Sequence, residues 1–284
     1  MVAPQQRQGP LESGGTVIKR HALFTRVWHW VTVICLVGLL MSGLQIFNAH
    51  PALYWGKDSS FDAPALSMTA ARSADGGLRG ITQVGDYRFD TTGFLGASGP
   101  AGDLKPRGFP AWATLPGPRS LAKGRHWHFL YAWIFAPLMT IYLVTLIVSG
   151  QFWRRLVPRR REWKAIGHSL REHLLLRFPR GDEARHYNIL QKLTYLLVLF
   201  VILPAVIATG LTMAPSVVAA WPWLLDVFGG RQSARTLHFI CALLLVAFFV
   251  VHIVLVLVSG VFNNLRSMIT GRYTLPPEKE SQHE

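Results

Sequence analysis

Cysteine is almost absent from this chain: Cys35 and Cys241 are the only two among 284 residues. Both lie inside apolar stretches, so no disulfide framework is available and the thiolate set of an iron–sulfur cluster is missing. Charge is scarce as well. Only 15% of residues are charged against 50% hydrophobic, and four stretches contain no Asp, Glu, Lys or Arg at all: Val27 to Phe47, Trp127 to Trp153, Leu193 to Pro215 and Thr236 to Asn263. That lack argues against a proton pump or an ion transporter, which needs carriers of charge inside the bilayer. Internal repeats and low-complexity tracts are also missing.

Each uncharged stretch reaches the ~20 residues a helix needs to cross a hydrocarbon core. Lipid offers no water to the backbone, so closed hydrogen bonding within helices is the expected solution. The sequence therefore predicts an all-α integral membrane fold, a four-transmembrane-helix bundle with spans at 27–47, 127–153, 193–215 and 236–263. Arg7, Lys19, Arg20 and Arg26 precede the first span, but the apolar run after them is too long for a signal peptide and reads as a retained helix. Residues 151–190 carry ten Lys or Arg against four Asp or Glu, whereas 216–234 carry one Arg and one Asp. The positive-inside rule makes the basic segment 154–192 cytoplasmic, and with four spans both termini as well. The net charge of +14 then needs no nucleic acid: a basic rim facing anionic headgroups accounts for it.

Residues 48–125, placed on the periplasmic side, hold 12 of the 25 glycines and 7 of the 17 prolines. This predicts a long irregular loop with short strands near Asp86 to Phe94. Its aromatics, Tyr54, Trp55, Phe61, Tyr87, Phe89, Phe94, Phe109 and Trp112, suit either a docking surface for a partner or a lid over the bundle. Arg161 to Phe178 has the spacing of an interfacial amphipathic helix, and Ser216 to Phe228 of a second. The polar tail after Arg272 is expected to fray.

Histidine is what the spans do contain. His238 and His252 are 14 residues apart, which at ~100° and ~1.5 Å per residue puts them on nearly one helix face, about 21 Å apart along the axis. They cannot share a metal, but each can ligate its own cofactor. His128 opens the second span and lies at the depth of His238; His29 opens the first, which runs the other way, and lies at the depth of His252. Depth alone thus yields two pairs, the set required by two bis-histidine haems held without thioether links. Gly43, 14 residues after His29, sits at the outer depth, where a missing side chain leaves room for a porphyrin edge or for close helix packing. Small pairs Ser42–Gly43, Ser149–Gly150, Thr209–Gly210 and Ser259–Gly260 occur in all four spans and fit ordinary packing too. His126 is ~200° around the helix from His128 and points elsewhere. Arg125 and Arg235 flank the outer pair and Arg26 the inner, as candidate partners for haem propionates or as interfacial anchors.

The motifs TRVWHW, GRHWHFLYAW, HYNILQKL and RTLHFICALLLVAFFVVH, the last followed by SGVFNNLRSMITGRYT, resemble the bacterial di-haem cytochrome b membrane subunits of formate dehydrogenase, nickel-iron hydrogenase and thiosulfate reductase. The resemblance covers the spans and not the loop 48–125, which is longer than its formate dehydrogenase counterpart and closer to thiosulfate-reductase-like members. It implies haem-iron ligation by His29, His128, His238 and His252. It also implies a quinone site beside the inner haem, at Asn188, Gln191, Lys192 and His252. The expected role is a membrane anchor subunit of the inner membrane that moves electrons between quinone and a periplasmic redox enzyme, a molybdenum enzyme foremost. The rivals are a hydrogenase cytochrome b subunit, a self-sufficient haem oxidoreductase (superoxide to quinone, for example) and a structural anchor without haem.

Overall fold

The computed structural model describes residues 17–74, 76–164, 166–167, 171 and 189–274. Among the described residues four helices are long and apolar enough to cross a membrane: α1 (Leu23–Phe47), α2 (Leu121–Val148), α3 (Ile189–Leu211) and α4 (Arg231–Val258). Many of their apolar side chains, Ile34, Val144, Val201 and Val250 among them, face outward, as suits a surface that meets lipid tails rather than water. Inside α3 a π-turn spans Val198–Ile202, just before Pro204. Proline has no N–H to donate into the preceding turn, and a locally widened helix accommodates that loss.

Apart from Phe47, the helix ends differ from those expected, the first, second and fourth helices starting earlier at Leu23, Leu121 and Arg231. The second helix stops at Val148 because Gly150 takes a left-handed φ of +70°, and the fourth stops at Val258 because Gly260 takes +104°. Glycine is the residue that adopts that backbone without a Cβ penalty, so each Ser–Gly pair here is a helix terminator. Val261 to Asn263 consequently belong to a separate helix, α5 (Val261–Thr270). The third span begins earlier than expected, at Ile189, and ends at Leu211.

By internal contacts the chain divides into two units. One comprises residues 31–142 and 201–245. In it, segment 48–120 has the strand expected near Asp86 to Phe94, at Tyr87–Asp90, but around it the chain forms an antiparallel sheet rather than an irregular loop, and the all-α description is corrected accordingly. The sheet runs β2 (Ala52–Leu53), β3 (Leu66–Arg72), β4 (Leu78–Val84) and β5 (Tyr87–Asp90) in that order. Val84 pairs with Tyr87 across the two residues Gly85 and Asp86, and Gly85 supplies the φ of +56° that so tight a hairpin demands. A small pair, β6 (Ala97–Ser98) with β7 (Lys105–Pro106), follows. Phe47, Leu53 and Met68 form a buried cluster joined by Leu66, Leu95, Phe109 and Phe239. Phe47 stacks on Phe239 at 5.0 Å, so the sheet is seated on the end of α1 and the start of α4. Burial of each such ring stabilises by about 1.5–3 kcal/mol.

Hydrogen bonds complete that seat. The Gly56 carbonyl accepts from the Gln232 and Ser233 amides at the start of α4, satisfying donors that a helix N-terminus leaves open. Ser233 Oγ accepts from the Gly56 N–H at 2.7 Å, and Thr236 Oγ1 donates to the Tyr54 carbonyl at 2.6 Å. Trp55, Phe61, Tyr87, Phe89, Phe94 and Trp112 nevertheless stay exposed. Within the same unit, helices Pro215–Ala220 and Leu224–Val227 replace the single amphipathic helix expected over 216–228, since Pro222 cannot continue the first.

The other unit comprises residues up to 30, 143–200 and those from 246 onward. Strand β1 (Val17–Lys19) pairs antiparallel with β8 (Arg272–Thr274), so Tyr273 and Thr274 are held in a strand where fraying was expected. Arg20 lies over the Tyr273 ring at 4.4 Å. Trp30 Nε1 donates to the Met268 carbonyl and Arg26 Nη1 to that of Ile269, which caps the last turn of α5 with a cation at its negative end. Of the amphipathic helix expected at 161–178, the structure describes Arg160–Trp163 and little beyond it; the rest lies outside the described residues.

Candidate functional site

His128 enters from the first turns of α2 and His238 from those of α4, and their ring centroids are 6.2 Å apart with the planes inclined by 66°. Were haem bound here, these two neighbouring imidazoles are the residues that would hold its iron.

Each ring is seated in a cradle of the same construction. Nδ1 of His128 lies 3.1 Å from the Leu39 carbonyl and 3.1 Å from Ser42 Oγ. The Leu39 carbonyl can only accept, and the Ser42 hydroxyl has the Gly38 carbonyl for its own proton at 2.5 Å. Nδ1 therefore carries the proton and donates, and Nε2 keeps its lone pair. His238 repeats this on α3: its Nδ1 lies 3.1 Å from Thr209 Oγ1, and the Val206 carbonyl is a further acceptor. Thr209 gives its own proton to the Ala205 carbonyl at 2.7 Å. A Cβ built at Gly43 would stand 3.4 Å from His128 Cε1, and one at Gly210 3.3 Å from His238 Cε1. Carbonyl at i−3, hydroxyl at i and glycine at i+1 thus recur on two helices.

In the other unit, His29 and His252 lie within electrostatic range of one another. Nδ1 of His29 is buried without a hydrogen-bond partner among the described residues. His252 stacks on Phe248, centroids 5.9 Å apart and planes 23° from parallel.

The flanking cations are engaged with the protein. The Arg235 guanidinium donates to the His50 carbonyl and lies 5.6 Å over the Phe47 ring. His50, beyond the end of α1, is held below the ordinary imidazole range by burial and then by Arg235; its Nε2 meets the Tyr54 hydroxyl at 3.1 Å. Arg125 is exposed, 5.9 Å over Phe129. Arg26 leaves its Nε buried and unpartnered among the described residues while Nη1 caps α5.

Of the quinone candidates, Asn188 lies outside the described residues and Gln191 is exposed. Lys192 is buried in the first turn of α3, its ammonium 2.8 and 2.9 Å from the two Glu162 carboxylate oxygens. Burial pushes the Glu162 carboxyl up, but hydrogen bonds from Lys192 and from the Arg159 N–H, with the charges of both residues, outweigh it and hold the carboxyl below its usual range. The sequence reading did not anticipate Glu162 as the partner of Lys192. It also assigned Ser42, Thr209 and Gly210 no role beyond packing. The signal for them was the repeated hydroxyl–glycine dipeptide.

The donor set fits a bis-imidazole haem. Two neutral rings offer Nε2 with Nδ1 anchored, as metal-ligating histidines usually require. Among the described residues no group of three or more His, Cys, Asp or Glu could hold a bare metal ion.

Residues 20–271 match the family model described as prokaryotic cytochrome b561. The chain is 28% identical over 251 residues to a protein of Azospira oryzae with the provisional name protein-methionine-sulfoxide reductase subunit YedZ1, covering 88% of this chain and 96% of that one. No solved structure matches.

Proposed function

The chain belongs to the prokaryotic cytochrome b561 family, as a haem-binding electron carrier and a multi-pass protein of the bacterial inner membrane, and on that premise we propose that it holds two b-type haems. His128 and His238 ligate one, His29 and His252 the other. The haems supply one-electron redox chemistry; the protein supplies ligation, burial and tuning. Electrons pass between the quinone pool and a redox enzyme on the periplasmic side.

Both termini and the basic segment after α2 face the cytoplasm, in keeping with the positive-inside rule. The sheet-bearing segment between α1 and α2 then faces the periplasm, with its exposed aromatics turned to the partner. That partner is an oxidoreductase, a molybdenum-containing one foremost, and the name of the Azospira oryzae relative favours a methionine-sulfoxide reductase over a hydrogenase. The quinone end is the one that holds His252, Asn188, Gln191 and Lys192, with Lys192 oriented by Glu162. Converting quinone to quinol takes two electrons and two protons, so a charged pair at a membrane boundary suits that end.

The observation that carries the reading is the facing pair His128 and His238, each with Nδ1 anchored and Nε2 free. Anaerobic addition of quinol, or of quinone to the reduced protein, tests it by absorbance. Reduction or reoxidation of a b-type signal is expected, with isolation from native membranes bringing down a molybdenum enzyme. A haem inert to quinone would overturn the reading, and reduction by superoxide without any partner would favour the self-sufficient enzyme.

A further inference from the structure

The two cradles invite comparison with their surroundings. Four Ser/Thr–Gly pairs lie at span ends, and two of them, Ser149–Gly150 and Ser259–Gly260, end helices with a left-handed glycine. The other two, Ser42–Gly43 and Thr209–Gly210, sit in unbroken helix. Their hydroxyls are buried, Ser42 at 0% and Thr209 at 1% exposure, and both hydroxyl protons are committed to carbonyls one turn back. A side chain needed only for close packing has no reason to aim a lone pair at an imidazole Nδ1; alanine would pack as closely.

Resting on the haem ligation proposed above, we propose that Ser42 and Thr209 are positioning residues. Beside the Leu39 and Val206 carbonyls, which require a proton on the ring nitrogen facing them, they add a second acceptor that orients each ring, and they would lower the midpoint potential of the haem those histidines hold. An N–H that donates to oxygen leaves more electron density on the imidazole, which favours ferric over ferrous iron. Gly43 and Gly210 complete each cradle by letting the ring edge approach the helix backbone. His29 has no such acceptor for Nδ1 among the described residues, so its haem serves as an internal reference.

The test is a redox titration of the full-length, haem-loaded protein in detergent, followed by absorbance, for Ser42→Ala and Thr209→Val beside the conservative Ser42→Thr and Thr209→Ser. The expected result is an upward shift of one of two resolved potentials, the one that His128→Ala abolishes, with the other unmoved and the conservative variants close to the parent. If a variant instead drops that haem selectively, its affinity falling by the ~10–100-fold usual for removing the partner of a metal-ligating histidine, and the conservative variant restores it, the positioning role is equally supported. Both potentials unmoved, both shifted equally, or both haems lost would overturn the proposal. A parent protein without b-type haem would instead overturn the haem reading itself, so the two failures are distinguishable.

Discussion

His128 and His238 face each other with ring centroids 6.2 Å apart, while Nδ1 of each lies 3.1 Å from a hydroxyl of a different helix, Ser42 on α1 for the first and Thr209 on α3 for the second. Four helices therefore converge on one pair of rings, and removing either histidine leaves the other without its counterpart. His128→Ala and His238→Ala are expected to abolish the same spectral component of the reduced protein. His29→Ala and His252→Ala should abolish the other. A loss of both components from each single variant, with the fold retained by circular dichroism, would contradict the pairing.

The glycines of the cradles should differ in tolerance. A Cβ at Gly43 meets His128 at ordinary contact distance, whereas one at Gly210 is slightly tighter on His238. Gly43→Ala should keep its full haem content. Gly210→Ala should weaken retention modestly, and a leucine at either position should displace the ring and empty that site. Haem per chain, measured as the pyridine haemochrome, checks the order.

A Cβ at Gly38 would overlap the Tyr131 ring, and one at Gly124 would press on Gln45, so α1 and α2 approach closely through missing side chains. Gly38→Ala is expected to cost about 1–3 kcal/mol, the usual range for overpacking. Tyr131→Ala should relieve part of that in the double variant. Thermal unfolding in detergent measures both, and simple additivity of the two losses would argue against the contact.

The Glu162–Lys192 pair carries a pH signature. A carboxyl held below its ordinary value of 4.5 binds its proton less tightly when folded than when unfolded. The pair thus stabilises fully above that value and fades as pH falls through the lower folded one. Lys192→Met should melt below the parent protein at pH 7, with the gap closing in acid. A gap independent of pH between 7 and 3 would count against the pair.

How much of this was legible in the sequence follows from what leaves a mark there. The spans did, because ~20 uncharged residues have few other uses, and a 14-residue interval between His238 and His252 is visible by counting. The helix ends at Gly150 and Gly260 were less so, since Ser–Gly inside an apolar run reads equally as packing. Of the sheet of residues 52–90 only the strand near Asp86 to Phe94 was legible; the rest was hidden by glycines that suggest loop, though Gly85 serves a tight hairpin. The cradles were hidden for a different reason. Their acceptors at Leu39 and Val206 are main-chain carbonyls, which no side chain announces. Glu162 was invisible as a partner because 30 residues separate it from Lys192.

The central claim is that this one chain holds two haems without covalent attachment. Its most direct measurement is the haem-to-protein ratio of the purified protein, by pyridine haemochrome against amino-acid analysis, together with a dithionite-reduced minus oxidised spectrum. Two b-type haems per chain, low-spin and extractable by acidified acetone, are predicted. A ratio of one or none, or haem that stays with the polypeptide after extraction, would contradict the account.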